Sequence, residues 1–82
     1  MYEVIIEDDA MDFLGTLPKS IYERIINKLE SSSIDPFHYF IRLVERDDYK
    51  LRVGDYRVIA DIDEFSRIIK VTKIGHRRNI YK

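Results

Sequence analysis

The chain of 82 residues contains no cysteine. This absence excludes disulfide bonds, thiolate nucleophiles and cysteine-based metal sites. No apolar run approaches the roughly 20 residues of a membrane-spanning helix. The first residues also lack the basic start and the long apolar stretch of a secretion signal. We therefore expect a soluble single domain, residues 1–82, in a reducing compartment, with the cytoplasm as the default location.

Glycine and histidine are scarce. The only glycines are Gly15, Gly54 and Gly75, so the chain has no glycine-rich phosphate loop. The two histidines, His38 and His76, are far apart in sequence, and typical metal sites need three or four ligands. We therefore expect no metal and no cofactor. His38 lies in a Pro-Phe-His-Tyr segment, where a packing or capping role is expected.

The net charge of −1 hides an asymmetry. Residues 1–39 contain eight acids and three bases, which gives −5, whereas residues 40–82 contain seven acids and eleven bases, which gives +4. Field strength at a patch matters more for phosphate binding than total charge does. The second half therefore indicates a nucleic-acid or phosphate surface, although basic residues on strands are also common as solvated edges.

The first half has the spacing of one strand and two helices. Residues 2–6 form a short apolar run with β-branched residues, typical of a strand buried on both faces. Residues 8–17 have helical spacing and begin with two aspartates as candidate N-caps. A second helix is predicted over residues 18–33, and residues 35–38 are predicted to form a loop.

The second half contains runs compatible with strands at about 40–45, 48–54, 55–63 and 67–75. Helices followed by strands indicate an α+β fold. We expect an N-terminal strand and a two-helix hairpin packed on one face of a mainly antiparallel sheet of four to five strands. The opposite face of the sheet would then be free.

Gly54-Asp55 separates two alternating runs and predicts a β-hairpin with glycine at the first turn position. With a two-residue turn, one face carries the apolar residues Leu51, Val53, Tyr56, Val58, Ala60 and Ile62. The other face carries Lys50, Arg52 and Arg57, with the two arginines directly opposite each other. Like charges in such a pair repel, and an anion would relieve the conflict.

The alternation continues across a turn at residues 63–66. It predicts that Lys70 and Thr72 join the free face. His76 would follow by parity, unless Gly75 breaks the register.

The candidate site is a set of cations with one hydroxyl-bearing ring: Lys50, Arg52, Arg57, His76, Arg77, Arg78 and Tyr81. Arginine matches phosphate geometry, and tyrosine can stack on an unpaired base. The pattern therefore indicates RNA binding. Two structural alternatives stay open: Arg57 pairs with Asp61 on the same face, or Tyr81 simply pins the tail.

Two strings carry a family resemblance: Lys-Leu-Arg-Val-Gly-Asp-Tyr-Arg-Val-Ile, and Lys-Ile-Gly-His-Arg-Arg with a terminal Ile-Tyr. Behind a helical hairpin opened by Leu-Pro, they resemble the RelE branch of the RelE/ParE toxin superfamily over nearly the whole chain. The resemblance implies a ribosome-dependent endoribonuclease of a toxin–antitoxin pair, which cuts messenger RNA in the ribosomal A site. It also implies three partners: a cognate RelB-like antitoxin, the ribosome and mRNA, with no membrane.

The resemblance also assigns roles to residues. Arg57 corresponds to the family's arginine that contacts the scissile phosphate, and Arg77 corresponds to the family's arginine late in the sequence. Lys50 fills a lysine associated with activating the nucleophile, and Tyr81 matches a tyrosine that stacks on the substrate base. His76 stands where other members often have lysine. Three further cations are expected to bind substrate: Arg52, Lys70 and Arg78.

The implied reaction is attack of a ribose 2′-hydroxyl on the adjacent phosphate, leaving a cyclic phosphate and a free 5′-hydroxyl. Arginine is a poor base because its pKa exceeds about 12, so Arg57 and Arg77 are expected to stabilise negative charge. Lys50 is a candidate base if neighbouring cations favour its neutral form. His76 is a candidate acid or base because imidazole titrates near neutral pH.

Two other functions stay open. The ParE branch shares the fold, inhibits gyrase and generally lacks the arginine and tyrosine set. A decayed toxin would bind RNA without cutting it.

An isoelectric point of about 6.1, with Asp47, Asp48 and Asp55 near the patch, predicts weaker RNA attraction than basic toxins of this type show.

Overall fold

The computed structural model describes residues 1–80 and contains one five-stranded sheet with a helical layer. Along the chain the elements are β1 (Glu3–Ile6), α1 (Asp8–Gly15), α2 (Lys19–Ser32), α3 (Pro36–Tyr39), β2 (Ile41–Arg42), β3 (Tyr49–Val53), β4 (Tyr56–Asp63) and β5 (Ile68–His76). The strand order is β1-β5-β4-β3-β2, with β1 parallel to β5 and the other neighbours antiparallel. The predicted α+β fold is confirmed.

The core lies between the helices and one face of the sheet. Leu14 of α1 and both Ile25 and Leu29 of α2 are buried at helical spacing. They share one cluster with the inward residues of the sheet, among them Leu51, Val53, Val58, Ala60, Ile69, Val71 and Ile74. Burying each of the leucine, isoleucine and valine side chains contributes about 1.5–3 kcal/mol. This packing determines which face of the β3–β4 hairpin is covered.

The hairpin has the predicted register. Arg52 pairs with Arg57, and Val53 pairs with Tyr56. Gly54 has φ +59°, which an L side chain adopts only with strain, and Asp55 has no positive φ. A positive φ at the first central position alone is typical of the type II′ turn, which matches the twist of paired strands.

Three predictions of individual elements are wrong in detail. β1 is an edge strand whose alternate residues Glu3 and Ile5 are exposed, because the helices cover only one face of the sheet. Residues 35–38 are not a simple loop, since α3 begins at the buried Pro36. The strand predicted at about 40–45 is reduced to Ile41–Arg42.

The start of α1 also differs from the N-cap prediction. The helix begins at Asp8, so both aspartates lie inside its first turn and Glu7 is the N-cap residue. Carboxylates in the first turn stabilise a helix by interacting with its dipole. The two aspartates therefore stabilise the helix start without capping it.

A β-bulge changes the register between β4 and β5. Ile59 pairs with Lys73, whereas its neighbour Ala60 pairs with Val71. Thr72 is the extra residue, and its hydroxyl donates to the carbonyl oxygen of Ile59 at 3.3 Å. Such a bulge reverses the alternation of every residue that follows it.

The bulge decides the position of His76. Beyond Thr72, Arg57 pairs with Gly75 and Tyr56 pairs with His76. His76 therefore lies on the same face of the sheet as Tyr56, and not on the face that carries Arg57. The register does break, but it breaks at Thr72 and not at Gly75.

Candidate nucleic-acid interface

The uncovered edge of β3 forms one wall of a cavity of about 470 Å³. β2 pairs only with Tyr49 and Lys50, which leaves the rest of β3 without an outer neighbour among the described strands. The cavity is lined by four cations, one histidine and three other residues: Lys28, Lys50, Arg52, Arg57, His38, Tyr39, Ile41 and Leu51. Three of the predicted site residues, Lys50, Arg52 and Arg57, are thus brought together.

The cavity carries positive charge without a balancing acid. In the described part of the chain, neither aspartate nor glutamate lines it. Among residues 1–80, Lys28, Lys50, Arg52 and Arg57 have no carboxylate within 4.0 Å. The alternative in which Arg57 pairs with Asp61 is therefore not observed. Unpaired cations in a concave site attract anions more strongly than the same charges on a flat surface do.

Arg57 is held close to the hairpin turn. Its Nη1 donates to the carbonyl oxygen of Tyr56 at 3.2 Å and to that of Gly54 at 3.4 Å. These contacts satisfy one nitrogen and leave the rest of the guanidinium available. A guanidinium with free N–H groups can form a bidentate contact with phosphate.

A second cavity of about 360 Å³ adjoins the first on the side of α2. Both are lined by Lys28 and Arg52, and the second adds Arg24 from α2. Arg24 lies over the hairpin turn, where its Nη2 would be 3.3 Å from a Cβ at Gly54. The two cavities together form a feature that we call the basic groove, with the cations Arg24, Lys28, Lys50, Arg52 and Arg57.

The contributions of α2 and α3 to the basic groove were not predicted from the sequence. The net charge gave no indication of Arg24 and Lys28, because these two residues lie in the half of the chain whose charge is −5. A detectable signal exists: Arg24, Lys28 and two other polar residues of the second cavity, Asn27 and Ser31, have the helical spacing of one face. His38 was expected to pack or cap: its ring contacts the Tyr39 ring edge-on, with centroids 5.1 Å apart, and the exposed residue also lines the first cavity.

His76 lies apart from this cavity. Its ring contacts the Tyr56 ring edge-on, with centroids 5.5 Å apart, and Tyr56 in turn lies 6.4 Å from Phe13. Its Nδ1 accepts a hydrogen bond from the backbone N–H of Arg78 at 3.2 Å. The structure therefore places His76 beside the core face and not with Lys50.

Arg77 is tied to the hairpin turn. Its backbone N–H donates to the carbonyl oxygen of Asp55 at 2.8 Å, and its Nε lies 3.8 Å from Oδ1 of the same residue. Both side chains are largely exposed, so the ion pair contributes little to stability. Arg77 and Arg78 do not line either cavity of the groove.

The tail after β5 folds over Gly75. Ile80 is 3% exposed, and its Cδ1 would be 3.2 Å from a Cβ at Gly75. Its backbone N–H donates to the carbonyl oxygen of His76 at 3.0 Å. Because Gly75 pairs with Arg57, the tail is anchored on the free face beside that arginine. Tyr81, the predicted stacking residue, lies outside the described residues.

Lys70 lies at the other end of the sheet. It pairs with Asp61 across β4 and β5 and lines a separate cavity of about 680 Å³ with the exposed Phe65. The structure does not bring it together with the basic groove.

The three acids expected to weaken RNA attraction are each near an arginine. Asp47 lies 3.3 Å from Arg42, Asp48 lies 2.6 Å from Arg46, and Asp55 pairs with Arg77. None of these acids lines the groove. Their effect on its charge is therefore smaller than their sequence positions suggest.

The described part of the chain contains neither a cluster of metal ligands nor a membrane-spanning helix. Residues 1–80 contain no group of three or more histidine, aspartate or glutamate side chains placed to hold a metal ion. None of the helices in the same residues is long and apolar enough to cross a membrane.

Comparison with solved structures shows the same fold in three toxin–antitoxin complexes. The toxin–antitoxin complex RelBE2 of Mycobacterium tuberculosis contains a chain 23% identical to this one, with a TM-score of 0.81 and coverage of 93% of this chain and 98% of that chain. An archaeal RelE–RelB complex from Pyrococcus horikoshii OT3 matches at 27% identity, with a TM-score of 0.79 and coverage of 95% and 97%. The intact RelBE complex of E. coli matches at 21% identity, with a TM-score of 0.78 and coverage of 93% and 96%.

Comparison at the sequence level gives the family. No curated protein matches the chain. Residues 4–81 match the family model of the ParE toxin of type II toxin–antitoxin systems. The structural matches carry RelE names and the family model carries a ParE name, as expected for two branches with one fold. The chain therefore belongs to the ParE toxin family and is a type II toxin of the RelE/ParE superfamily.

Proposed function

We propose that this toxin is a ribosome-dependent mRNA endoribonuclease whose basic groove binds the scissile phosphate. The observation that supports the proposal most directly is the convergence of Lys50, Arg52 and Arg57 on one cavity without a carboxylate in its lining. A chain selected for stability alone gains nothing from this arrangement, since Arg52 and Arg57 repel each other.

The reaction is attack of the ribose 2′-oxygen on the adjacent phosphorus, with release of the 5′-oxygen of the next nucleotide. Negative charge grows on the phosphoryl oxygens as the bond forms. Arg57 and Arg52 stabilise that charge through N–H groups that are already in place. Electrostatic stabilisation by such preorganised donors is usually the largest single contribution to catalysis. Lys50 adds a third cation from β3.

The remaining roles come from the family resemblance. Arg77 stabilises charge from the side of the hairpin turn, and Tyr81 stacks on a substrate base. His76 is a candidate for proton transfer, although it faces Tyr56 and not the cavity. Arg78 and Lys70 contact substrate at a distance from the reacting phosphate.

A cognate antitoxin is the expected inhibitor. The similar structures from M. tuberculosis, P. horikoshii and E. coli are described as toxin–antitoxin or RelE–RelB complexes. An acidic, amphipathic segment that orders on binding would neutralise the unpaired cations of the groove. Absence of binding to the product of the adjacent reading frame would contradict this part of the proposal.

The test is cleavage of a defined mRNA by purified protein, with and without programmed ribosomes, mapped to the nucleotide. We expect cleavage only with ribosomes, and we expect loss of cleavage in Arg57→Ala and in the double variant Arg57→Ala/Tyr81→Ala. Lys19→Gln is the control, since Lys19 lies on the exposed start of α2 and lines neither cavity. Retained RNA binding without any cleavage would instead indicate a non-catalytic module.

Gyrase inhibition is the second candidate, and the match to a ParE family model favours it. Under this hypothesis, induced expression causes DNA damage while mRNA stays intact. Under the endoribonuclease hypothesis, expression halts translation first, and mRNA is cut within codons.

A further inference from the structure

We propose that His38 of α3 is the general base that activates the 2′-hydroxyl. This inference rests on the proposed endoribonuclease function and adds a residue to it. His38 and the cations Lys50, Arg52 and Arg57 line the same cavity. Within the described part of the chain, no other imidazole and no carboxylate line that cavity.

The reaction needs a proton acceptor, and Lys50 would be one only in its neutral form. Protonated lysine and arginine donate hydrogen bonds and have no acceptor atom. Tyrosine titrates near pH 10, far above the working pH. A neutral imidazole has one free ring nitrogen and titrates near pH 6.5 in the absence of perturbation, which suits a base at neutral pH. Of the described residues that line the cavity, His38 alone meets this requirement.

Packing holds α3 in place against its neighbours. Pro36 is fully buried at the start of the helix, and the Phe37 ring contacts Tyr49 of β3 edge-on at 5.7 Å. On the other side, Lys28 of α2 lies 5.7 Å from the centre of the Tyr39 ring. The imidazole of His38 also contacts the Tyr39 ring, with centroids 5.1 Å apart. A short helix anchored in this way can present a side chain at a defined position.

The other histidine is less suited to the role. The Nδ1 of His76 already accepts a hydrogen bond from Arg78, and its ring lies against Tyr56. Because of the bulge at Thr72, His76 lies on the core face of the sheet, opposite to the face of Arg57. His38 has no described hydrogen-bond partner on its ring and is exposed to the cavity.

A ring nitrogen of His38 takes the proton of the 2′-hydroxyl while the 2′-oxygen forms a bond to phosphorus. The bond between phosphorus and the 5′-oxygen then breaks, leaving a 2′,3′-cyclic phosphate, and the 5′-oxygen takes a proton from water. The imidazolium finally releases its proton to solvent, so that no further reactant is consumed.

The charged and titratable groups around His38 come from four of the elements that line the cavity, and the fifth, β2, contributes only Ile41. They are Lys28 from α2, Tyr39 from α3, Lys50 and Arg52 from β3, and Arg57 from β4. All except Tyr39 are cations, so the pH dependence of the rate separates His38 from them. We expect the wild-type rate to rise with pH as the base loses its proton, and then to level off.

The experiment compares single-turnover cleavage by wild type, His38→Gln and His76→Gln on ribosome-bound mRNA between pH 5.5 and pH 8.5, a range set around the titration of histidine. We expect His38→Gln to lower the plateau rate about 10²-fold or more and to remove the rising limb. Added imidazole should partly restore cleavage by His38→Ala, since the cavity is open. Thermal unfolding and RNA affinity should match wild type, which would exclude misfolding or loss of binding as the cause.

Three results would overturn the inference. A normal rate in His38→Gln would show that His38 is not the base. If the rise of the cleavage rate with pH were lost in His76→Gln but kept in His38→Gln, the role of base would belong to His76. Wild type that fails to cut ribosome-bound mRNA at any pH would overturn the proposed function, and the assignment of a base with it.

Discussion

Arg52 and Arg57 lie directly opposite each other in the β3–β4 hairpin, and neither has a carboxylate within 4.0 Å among residues 1–80. Opposed like charges destabilise a sheet by roughly 0.2–1 kcal/mol. The pair therefore costs stability, and an anion between the two guanidinium groups removes the cost. Stability and activity should accordingly respond in opposite directions when one charge is removed.

Arg52→Gln is the first test of this opposition. We expect the free energy of unfolding to rise by about 0.2–1 kcal/mol, because the repulsion with Arg57 is lost. Cleavage should fall by about 10²-fold, because a phosphate donor is lost. Denaturant unfolding and single-turnover cleavage measure the two effects. Arg42→Gln, which removes an arginine paired with Asp47 outside the groove, should leave cleavage unchanged. A loss of stability in Arg52→Gln would contradict the argument.

Lys28→Gln tests whether α2 contributes to RNA binding. Lys28 lines both cavities of the basic groove, whereas Lys19 on the same helix lines neither. We expect Lys28→Gln to weaken binding of a short single-stranded RNA and to reduce the slope of log affinity against log salt by about 0.7. Lys19→Gln makes the same change of charge and should leave the slope unchanged. Equal effects of the two variants would indicate only a general effect of charge.

Ile80→Ala tests the anchoring of the tail. Ile80 is buried over Gly75, so truncation should lower the free energy of unfolding by about 2 kcal/mol or more. Gly75→Ala should also destabilise, because its Cβ would come within 3.2 Å of Ile80 Cδ1. Asn79→Ala, at an exposed position of the same tail, is the control. An unchanged midpoint of unfolding in both Ile80→Ala and Gly75→Ala would show that the tail is not anchored there.

Asp63 should make stability depend on pH at the β4–β5 turn. Hydrogen bonds from the side chain and backbone N–H of Ser66, and from the backbone N–H of Phe65, hold the pKa of Asp63 below its usual value. A lowered pKa in the folded state gives stability that is present above the unfolded pKa and is lost as pH falls through the folded pKa. We expect wild type to exceed Asp63→Ala in stability at pH 6 by more than it does at pH 2. NMR titration of the Asp63 carboxyl checks the direction of the shift, and a difference in stability independent of pH would contradict it.

The order of elements could be predicted from the chain because it depends on local patterns. Alternation around Gly54 determines the hairpin register, and helical spacing in α2 determines the buried stripe of Ile25 and Leu29. The same patterns place Lys50, Arg52 and Arg57 on one face of the hairpin. That part of the site follows from the two-residue period of a strand alone.

Other features were not predictable from local patterns. The four-residue helix α3 is too short for a periodic signal, and the edge position of β1 depends on which strands pair beside it. Neither feature leaves a pattern that differs from a loop or from a buried strand. The predictions for α3 and β1 are therefore wrong because tertiary contacts, and not local patterns, determine these two elements.

By itself, the sequence determined the fold class, the hairpin and the three cations that share its free face, since each depends on residue types a few positions apart. Only the tertiary structure decided which histidine joins them. The bulge at Thr72 turns His76 toward Tyr56, and the packing of α3 between α2 and β3 brings His38 to the cavity. A shift of one residue in register reverses every side chain beyond it, and a contact between distant segments has no period along the chain.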